Sequence, residues 1–182
     1  KLFESYGAEV VYVTDSAGAL LPHEVTERIS ALKNELDCEI GFHAHNNLSL
    51  AMANTIAAVQ AGATYIDGSL RALGAGSGNT QTEVMVAVLE KMGYNTGVDL
   101  YKILDVANDV VAKYMPRPQE ITDSSLIMGY SGVYSSFLLH AEKAAERFNV
   151  DERDILVELG RMQAVGGQED LIYEVAAKIA AK

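Results

Sequence analysis

The sequence is poor in several residue types, and each scarcity excludes a class of protein. Its 182 residues include one cysteine, three prolines and no tryptophan. A single cysteine, Cys38, cannot form an internal disulfide, which excludes a disulfide-stabilised secreted fold and is typical of the reducing cytoplasm. No apolar run reaches the roughly 18 residues that a membrane span needs, and no signal-peptide pattern opens the chain. We therefore expect a cytoplasmic protein that does not enter membranes.

Basic residues are also scarce. Fourteen Lys and Arg stand against 25 Asp and Glu, which gives a formal net charge of −11. Nucleic acids and anionic lipid surfaces are both bound by clustered basic side chains, so this charge balance argues against both partners. The hydrophobic fraction of 49% is that of a globular protein. The composition therefore favours a folded protein and argues against nucleic acids and anionic lipid surfaces as partners.

Strand-like runs alternate with helical segments in the first part of the chain. The runs cover residues 9–14 (EVVYVT), 39–45 (EIGFHAH) and 64–69 (TYIDGS), and the periodicity predicts helices over 22–36 and 48–61. After the third run, Thr80 and Glu83 have the spacing of a capping box, which predicts a helix ending near Met92. Strand–helix alternation of this kind is typical of βα units around a parallel sheet.

A proline cluster divides the sequence. Pro116 and Pro118 follow a predicted helix over 99–114, and the pattern beyond them is helical without strand alternation. Helices are predicted over residues 134–148, 151–162 and 168–181, with Asp151 as a cap. We predict an α/β domain over residues 1–117 and a helical domain over residues 118–182.

A pair of histidines is the strongest candidate site. His43 and His45 are two residues apart on a predicted strand, so their imidazoles share a face at its carboxyl end. Active sites of α/β barrels lie at that end, and imidazole nitrogen is a good ligand for divalent transition metals. A hard ion also needs a carboxylate, for which Asp15 and Asp67 are available. Either aspartate could instead cap a turn or accept a histidine N–H.

Three loops carry weaker signals. Residues 15–18 (DSAG) suit binding of a carboxylate or carbonyl, or form an ordinary tight turn. Residues 74–80 (GAGSGNT) could bind an anion through free amides, but they match neither a dinucleotide fingerprint nor a P-loop. Residues 129–137 (GYSGVYSSF) either place a tyrosine hydroxyl over the strand ends or form a tight turn with aromatic residues facing the core.

These motifs together resemble the metal-dependent aldolase/lyase TIM-barrel family. The resemblance rests on residues 13–18 (VTDSAG), 41–50 (GFHAHNNLSL) and 74–79 (GAGSGN). The tail, with residues 129–137, 155–161 (ILVELGR) and 165–170 (VGGQED), is similar to the communication domain that aldolases of this family carry. The implied fold is the C-terminal portion of a TIM barrel, about three of its eight βα units, followed by a small all-α communication domain.

The resemblance also implies chemistry. It assigns His43 and His45 to a divalent metal, Mn²⁺ in such aldolases, with Asn79 near the ion. It places Ser16, His43 and Tyr134 at the substrate. The implied reaction is cleavage of 4-hydroxy-2-oxovalerate to pyruvate and acetaldehyde in aromatic meta-cleavage degradation. The implied partner is an acylating acetaldehyde dehydrogenase that receives the aldehyde.

One family motif has no counterpart here. The first strand of the family carries a metal-binding Asp, an Arg and a catalytic His, whereas residues 67–71 (DGSLR) look similar but belong to the third run and are set aside as a decoy. We therefore expect no catalytic base in this sequence, and a fragment that is inactive alone. Alternatives are an acyl-CoA lyase or synthase of the same barrel, or a non-catalytic module that docks the dehydrogenase. Unpaired sheet edges would also allow a homo-oligomer.

Overall fold

A parallel sheet organises the first half of the molecule, which we describe from a computed structural model covering residues 1–181. Its strands are β1 (Val10–Asp15), β2 (Glu39–Ala44) and β3 (Tyr65–Ile66), in the order β1-β2-β3 with both pairings parallel. The helices of this half are α1 (Leu2–Ser5), α2 (Pro22–Glu35), α3 (Ala51–Gln60), α4 (Thr82–Lys91) and α5 (Leu100–Asp109). The prediction of βα units around a parallel sheet is confirmed.

The two faces of β2 have different surroundings. Ile40, Phe42 and Ala44 are buried in a cluster with Val25 and Ile29 of α2. Because side chains alternate along a strand, Gly41 and His43 lie on the opposite face. His43 therefore projects from that face near the carboxyl end of β2.

The second half is helical. It contains α6 (Asp123–Ser131), α7 (Leu138–Phe148), α8 (Glu152–Arg161) and α9 (Asp170–Ala180), and short 3₁₀ turns cover Leu70–Ala72, Val111–Tyr114 and Ser135–Phe137. Asp151 caps α8 as predicted, because its side chain accepts a hydrogen bond from the backbone N–H of Arg153. The helices share one apolar cluster around Met128, Phe137 and Leu156. The division at residue 117 stays a prediction.

Three sequence predictions are wrong in detail. The third strand is two residues long, because Ser69 pairs with Thr80 and Gln81 and leaves the sheet. The capping box does not form, since α4 starts at Thr82 and the carboxylate of Glu83 accepts from the backbone N–H of Arg71. Helix α6 occupies the start of the segment that the sequence indicated as a turn.

The two halves meet over the glycine-rich loop. The hydroxyls of Ser77 and Ser125 are 2.7 Å apart and buried, and the side-chain amide of Gln119 donates to the carbonyl of Gly74 at 2.8 Å. The helical half is thereby joined to the loop that follows β3. Throughout residues 1–181, no helix has the length and apolarity to cross a membrane.

Candidate functional site

The paired histidines lie together at the carboxyl end of β2. The ring centroids of His43 and His45 are 5.2 Å apart, as the two-residue spacing predicts. The Nδ1 of His45 lies 3.4 Å from the carbonyl oxygen of Ala75. Burial lowers the pKa of His45, and the neighbouring His43 lowers it further. Both effects favour the neutral imidazole, which is the form that binds metals.

Asp67 lies beside His43. One carboxylate oxygen is 3.3 Å from Nδ1 of His43, and the hydroxyl of Tyr12 donates to the other oxygen at 3.1 Å. The sequence offered Asp67 either as a metal ligand or as an acceptor for a histidine N–H, and this geometry corresponds to the second role. Tyr12 was missed, because a tyrosine within an apolar strand carries no motif.

Asp15 is occupied by its own turn. The carboxylate is buried at the end of β1 and accepts from the backbone N–H groups of Ala19 and Leu20, at 2.9 and 3.2 Å. Burial raises its pKa, although these hydrogen bonds act in the opposite direction. Asp15 therefore holds the loop after β1 in place, which corresponds to the turn-capping alternative.

A buried asparagine connects the site loops. The side-chain amide of Asn47 donates to the carbonyl of Ala17 at 2.9 Å, and its oxygen accepts from the backbone N–H of Ser77 at the same distance. A Cβ atom on Gly76 would lie 2.5 Å from that oxygen. Because the loops after β1 and β3 share this one side chain, their relative positions are fixed.

Asn79 offers an oxygen that lacks a protein partner. Its amide nitrogen donates to the hydroxyl of Ser69 and the carbonyl of Leu73, both at 3.0 Å. Its Oδ1 is buried and finds no hydrogen-bond partner among the described residues. Asn79 also pairs with His45 in a β-bridge. A buried oxygen of this kind beside a histidine suits a bound cation or water.

The metal prediction fits this donor set only in part. No cluster of three or more His, Cys, Asp or Glu side chains that could hold an ion occurs within residues 1–181. The candidate ligands are two imidazoles and one amide oxygen, and a hard divalent ion normally takes further oxygen ligands. His43, His45 and Asn79 therefore fit one side of a metal coordination sphere.

Ser16 and Tyr134 line one cavity, although they come from different halves of the chain. The cavity has a volume of about 300 Å³, lies beside the end of β1, and is also lined by Arg28 and Gly132. Arg28 was missed because an exposed arginine on a helix gives no sequence signal. Tyr134 is 40% exposed, whereas Phe137 is fully buried. Of the two alternatives for this segment, the one with aromatic residues facing the core therefore applies to Phe137 and not to Tyr134.

Parallel βα units with two histidines at the carboxyl end of one strand, β2, are an arrangement typical of the α/β barrel class of fold. Residues 1–110 match the family model HMGL-like, and the chain belongs to the HMGL-like family. Residues 119–181 match the DmpG-like communication domain. The fold is therefore a three-stranded portion of a TIM-barrel-family domain followed by a helical communication domain, as the resemblance implied.

Curated relatives match this sequence over its whole length. It is 71% identical to a 4-hydroxy-2-oxovalerate aldolase of Geobacillus thermodenitrificans, over 100% of this chain and 53% of the relative. Identity to the enzyme of that name from Moorella thermoacetica is 59%, over 100% of this chain and 54% of the relative. The chain thus spans about half the length of the curated relatives it matches.

Solved structures share the fold. The HMG-CoA lyase of Bacillus subtilis is 34% identical, with a TM-score of 0.59 over 65% of this chain and 41% of that one. The carboxyl transferase domain of Rhizobium etli pyruvate carboxylase is 19% identical, with a TM-score of 0.77 over 99% of this chain and 32% of that one. The second likeness concerns the fold alone.

Proposed function

We propose that this chain supplies the metal-binding and part of the substrate-binding side of a 4-hydroxy-2-oxovalerate aldolase. The reaction is the cleavage of 4-hydroxy-2-oxovalerate to pyruvate and acetaldehyde. The observation that carries the proposal is the cavity shared by Ser16 and Tyr134, because it brings the helical half to the strand ends of the barrel half. The names of the relatives, which match both halves together, support the same reaction.

His43, His45 and Asn79 would hold the divalent ion, which we take to be Mn²⁺. When bound, such an ion acts as a Lewis acid that polarises the carbonyl of a 2-oxo acid and stabilises developing negative charge. Burial favours the neutral imidazole of His45, which keeps one of its ring nitrogens available as a metal ligand. The remaining ligands are expected from residues outside this sequence.

Arg28 and Ser16 suit the carboxylate end of the substrate. A guanidinium forms strong charge-assisted hydrogen bonds to carboxylates, and the Ser16 hydroxyl offers a further donor in the cavity. This local positive charge matters in a chain whose net charge is −11, because the substrate is an anion. Tyr134 would contact the substrate from the helical half.

The base that removes the 4-hydroxyl proton is the missing part. In the resemblance it belongs to a first-strand motif that has no counterpart in this sequence. General-base removal of a hydroxyl proton typically contributes 10²–10⁴-fold to a rate. We therefore propose that this chain alone does not turn over the substrate.

The helical half is proposed to dock an acylating acetaldehyde dehydrogenase, which would take up the aldehyde. The support is the match of residues 119–181 to the DmpG-like communication domain. Co-elution of this chain with such a dehydrogenase in size-exclusion chromatography would test the docking separately from catalysis. Separate elution of the two proteins would contradict it.

The activity is tested by joining this chain to the remainder of the Geobacillus thermodenitrificans relative. The joined protein should release pyruvate from 4-hydroxy-2-oxovalerate, and the chain alone should not. Treatment with EDTA should abolish release and Mn²⁺ should restore it. Pyruvate release by the chain alone would refute the proposed absence of the base. Undiminished release after EDTA would refute the metal role, and cleavage of an acyl-CoA substrate instead would refute the substrate class.

A further inference from the structure

We infer that Asp67 and Tyr12 form a positioning pair that fixes the ring of His43 with its Nε2 presented to the metal. The three side chains form a chain of contacts across the sheet. The Tyr12 hydroxyl donates to one oxygen of Asp67, and the other oxygen lies at Nδ1 of His43. Each carboxylate oxygen therefore has one partner. The metal part of this inference rests on the proposed function, whereas the geometry of the pair does not.

The backbone holds the carboxylate in place. The N–H of Asp67 donates to the carbonyl of Phe42 at 3.1 Å, immediately after the last residue of β3. Phe42 is fully buried and adjoins His43 in β2. The main chain of Asp67 is thereby hydrogen-bonded to β2, the strand that carries His43. The Asp67 carboxylate consequently lies close to the His43 imidazole.

A glycine makes room for the tyrosine. Tyr12 of β1 is paired with Gly41 of β2, and Gly41 is paired in turn with Tyr65 of β3. A Cβ atom on Gly41 would lie 2.5 Å from two atoms of the Tyr12 ring. The ring therefore crosses the central strand in the space that the missing side chain leaves, and its hydroxyl reaches Asp67 beyond β3. Any larger residue at position 41 would displace the ring.

The consequence for His43 is a defined tautomer. Ionised carboxylate oxygens only accept hydrogen bonds, so Nδ1 of His43 must carry the proton that it shares with Asp67. Nε2 then carries the lone pair that a metal needs. Partners of this type orient metal-binding histidines in proteins, and their loss typically reduces metal affinity 10–100-fold. Tyr12 acts one step further away, by fixing the carboxylate.

The tautomer can be measured without metal or substrate. Long-range ¹H–¹⁵N correlation spectra of this chain distinguish the Nδ1–H from the Nε2–H form of the His43 imidazole. We expect His43 to be in the Nδ1–H form. Asp67→Ala should shift it to a mixture with the Nε2–H form, and Tyr12→Phe should do so to a smaller extent. Tyr65→Phe is the matched control, because it removes a tyrosine hydroxyl at the β3 end of the row Tyr12–Gly41–Tyr65 that crosses the sheet.

Manganese affinity provides the second readout. The joined protein is titrated with Mn²⁺ and binding is followed by electron paramagnetic resonance. Asp67→Ala should weaken Mn²⁺ binding about 10–100-fold. Tyr65→Phe and Asp105→Asn, at exposed positions, should leave it unchanged. Backbone spectra that match those of the unaltered chain confirm that each variant is folded.

The outcomes separate the two proposals. A Nε2–H tautomer in the unaltered chain, or a tautomer that Asp67→Ala does not change, would overturn the positioning pair. If the Nδ1–H tautomer depends on Asp67 as expected but the joined protein binds no Mn²⁺, the positioning pair stands and the metal role in the proposed function fails.

Discussion

The α/β half and the helical half bury different kinds of side chain. Among residues 1–181, eight polar or charged side chains are buried, and seven of them belong to the α/β half. They are Asp15, Asn47, Asn54, Thr55, Ser77, Thr80 and Glu83. Within the described residues, the helical half buries one such side chain, Ser125, and otherwise buries apolar side chains such as Met128, Phe137 and Leu156.

This difference follows from what each half has to hold. Apolar packing is non-directional, and it suffices to keep α6, α7, α8 and α9 together. Hydrogen bonds of a buried amide or carboxylate are directional, and they fix individual loop atoms, as Asn47 and Asp15 do after β1. The half with the candidate site therefore uses polar groups in its interior to place its loops, and the helical half gains its stability from packing.

The largest expected effect lies in the helical half. Phe137→Ala should lower the free energy of unfolding by about 3–5 kcal/mol, because a large buried ring is replaced by a cavity. Urea unfolding followed by circular dichroism measures the loss, and hydrogen exchange should show it in α6–α9 rather than in β1 and β2. Leu139→Ala, at a position that is 66% exposed, is the control and should cost less than about 0.5 kcal/mol. Equal losses for the two variants would contradict the assignment of this core.

Removal of the connecting amide should come next. Asn47→Ala leaves the carbonyl of Ala17 and the N–H of Ser77 without their partners. An unsatisfied buried group costs about 1–3 kcal/mol, so we expect a loss of about 2–3 kcal/mol. Hydrogen exchange should increase first in the loops at residues 16–20 and 74–78. Asn34→Ala on the exposed side of α2 should have little effect. A loss confined to the helical half would refute the role of buried polar groups in placing the loops of the α/β half.

The cavity between the halves should respond to loss of its cation. In the joined protein, Arg28→Gln should raise KM for 4-hydroxy-2-oxovalerate about tenfold, which corresponds to about 1.4 kcal/mol of binding. Because Arg28 would bind the unreacting carboxylate, kcat should change less. Steady-state kinetics separate the two parameters, with Lys33→Gln on the same helix as control. A change confined to kcat would place Arg28 at the reacting atoms instead.

The cap of α8 should produce a smaller, pH-dependent effect. Asp151→Ala should cost about 1 kcal/mol at pH 7, the usual value for an N-cap. Hydrogen bonds from Arg153 lower the pKa of Asp151 from 3.8 to about 2. A lowered carboxyl pKa gives stability that is complete above pH 4 and disappears as the pH falls through 2. Unfolding at several pH values measures this. Asp154→Ala, an exposed residue of the same first turn, should show no such loss of stability.

The smallest expected effect concerns the bond between the halves. A double-mutant cycle with Ser77→Ala and Ser125→Ala should give a coupling energy of about 0.5–1.5 kcal/mol, as one buried hydrogen bond provides. Ser125 also contributes to the cap of α6, but that contribution cancels in the cycle. Urea unfolding of the four proteins gives the value. A coupling energy of zero would mean that the two halves are stabilised independently.

Periodicity and local chemistry predicted a large part of the fold. The strand–helix alternation, the shared face of His43 and His45, and the cap at Asp151 all depend on short-range geometry that the sequence contains. Helix α6 was missed because Gly129 and Ser131 favour a turn on their own, and they are helical here because the segment packs against the loop at Leu48. Tertiary packing overrode propensity in that case.

The candidate site was less predictable, because its decisive contacts are long-range. The contact of Asp67 with His43 spans 24 positions, and that of Tyr12 with Asp67 spans 55. The Glu83 carboxylate likewise accepts from the backbone N–H of Arg71, which is 12 positions away, instead of forming the predicted capping box. Sequence patterns report which groups are available, whereas these pairings depend on which strands become neighbours.

The surroundings of Asn47 have a consequence for how the sequence can change over evolutionary time. Three glycines pack around this residue. A Cβ atom would lie 2.8 Å from the Asn47 nitrogen at Gly18, 2.5 Å from its side-chain oxygen at Gly76 and 3.0 Å from its Cβ at Gly129. None of the three glycines can accept a side chain while residue 47 stays in place, and at Gly18 and Gly129 the atoms that a side chain would meet are present in any non-glycine residue at position 47. We therefore expect the three glycines to be retained together among homologues, in the barrel half and the helical half alike.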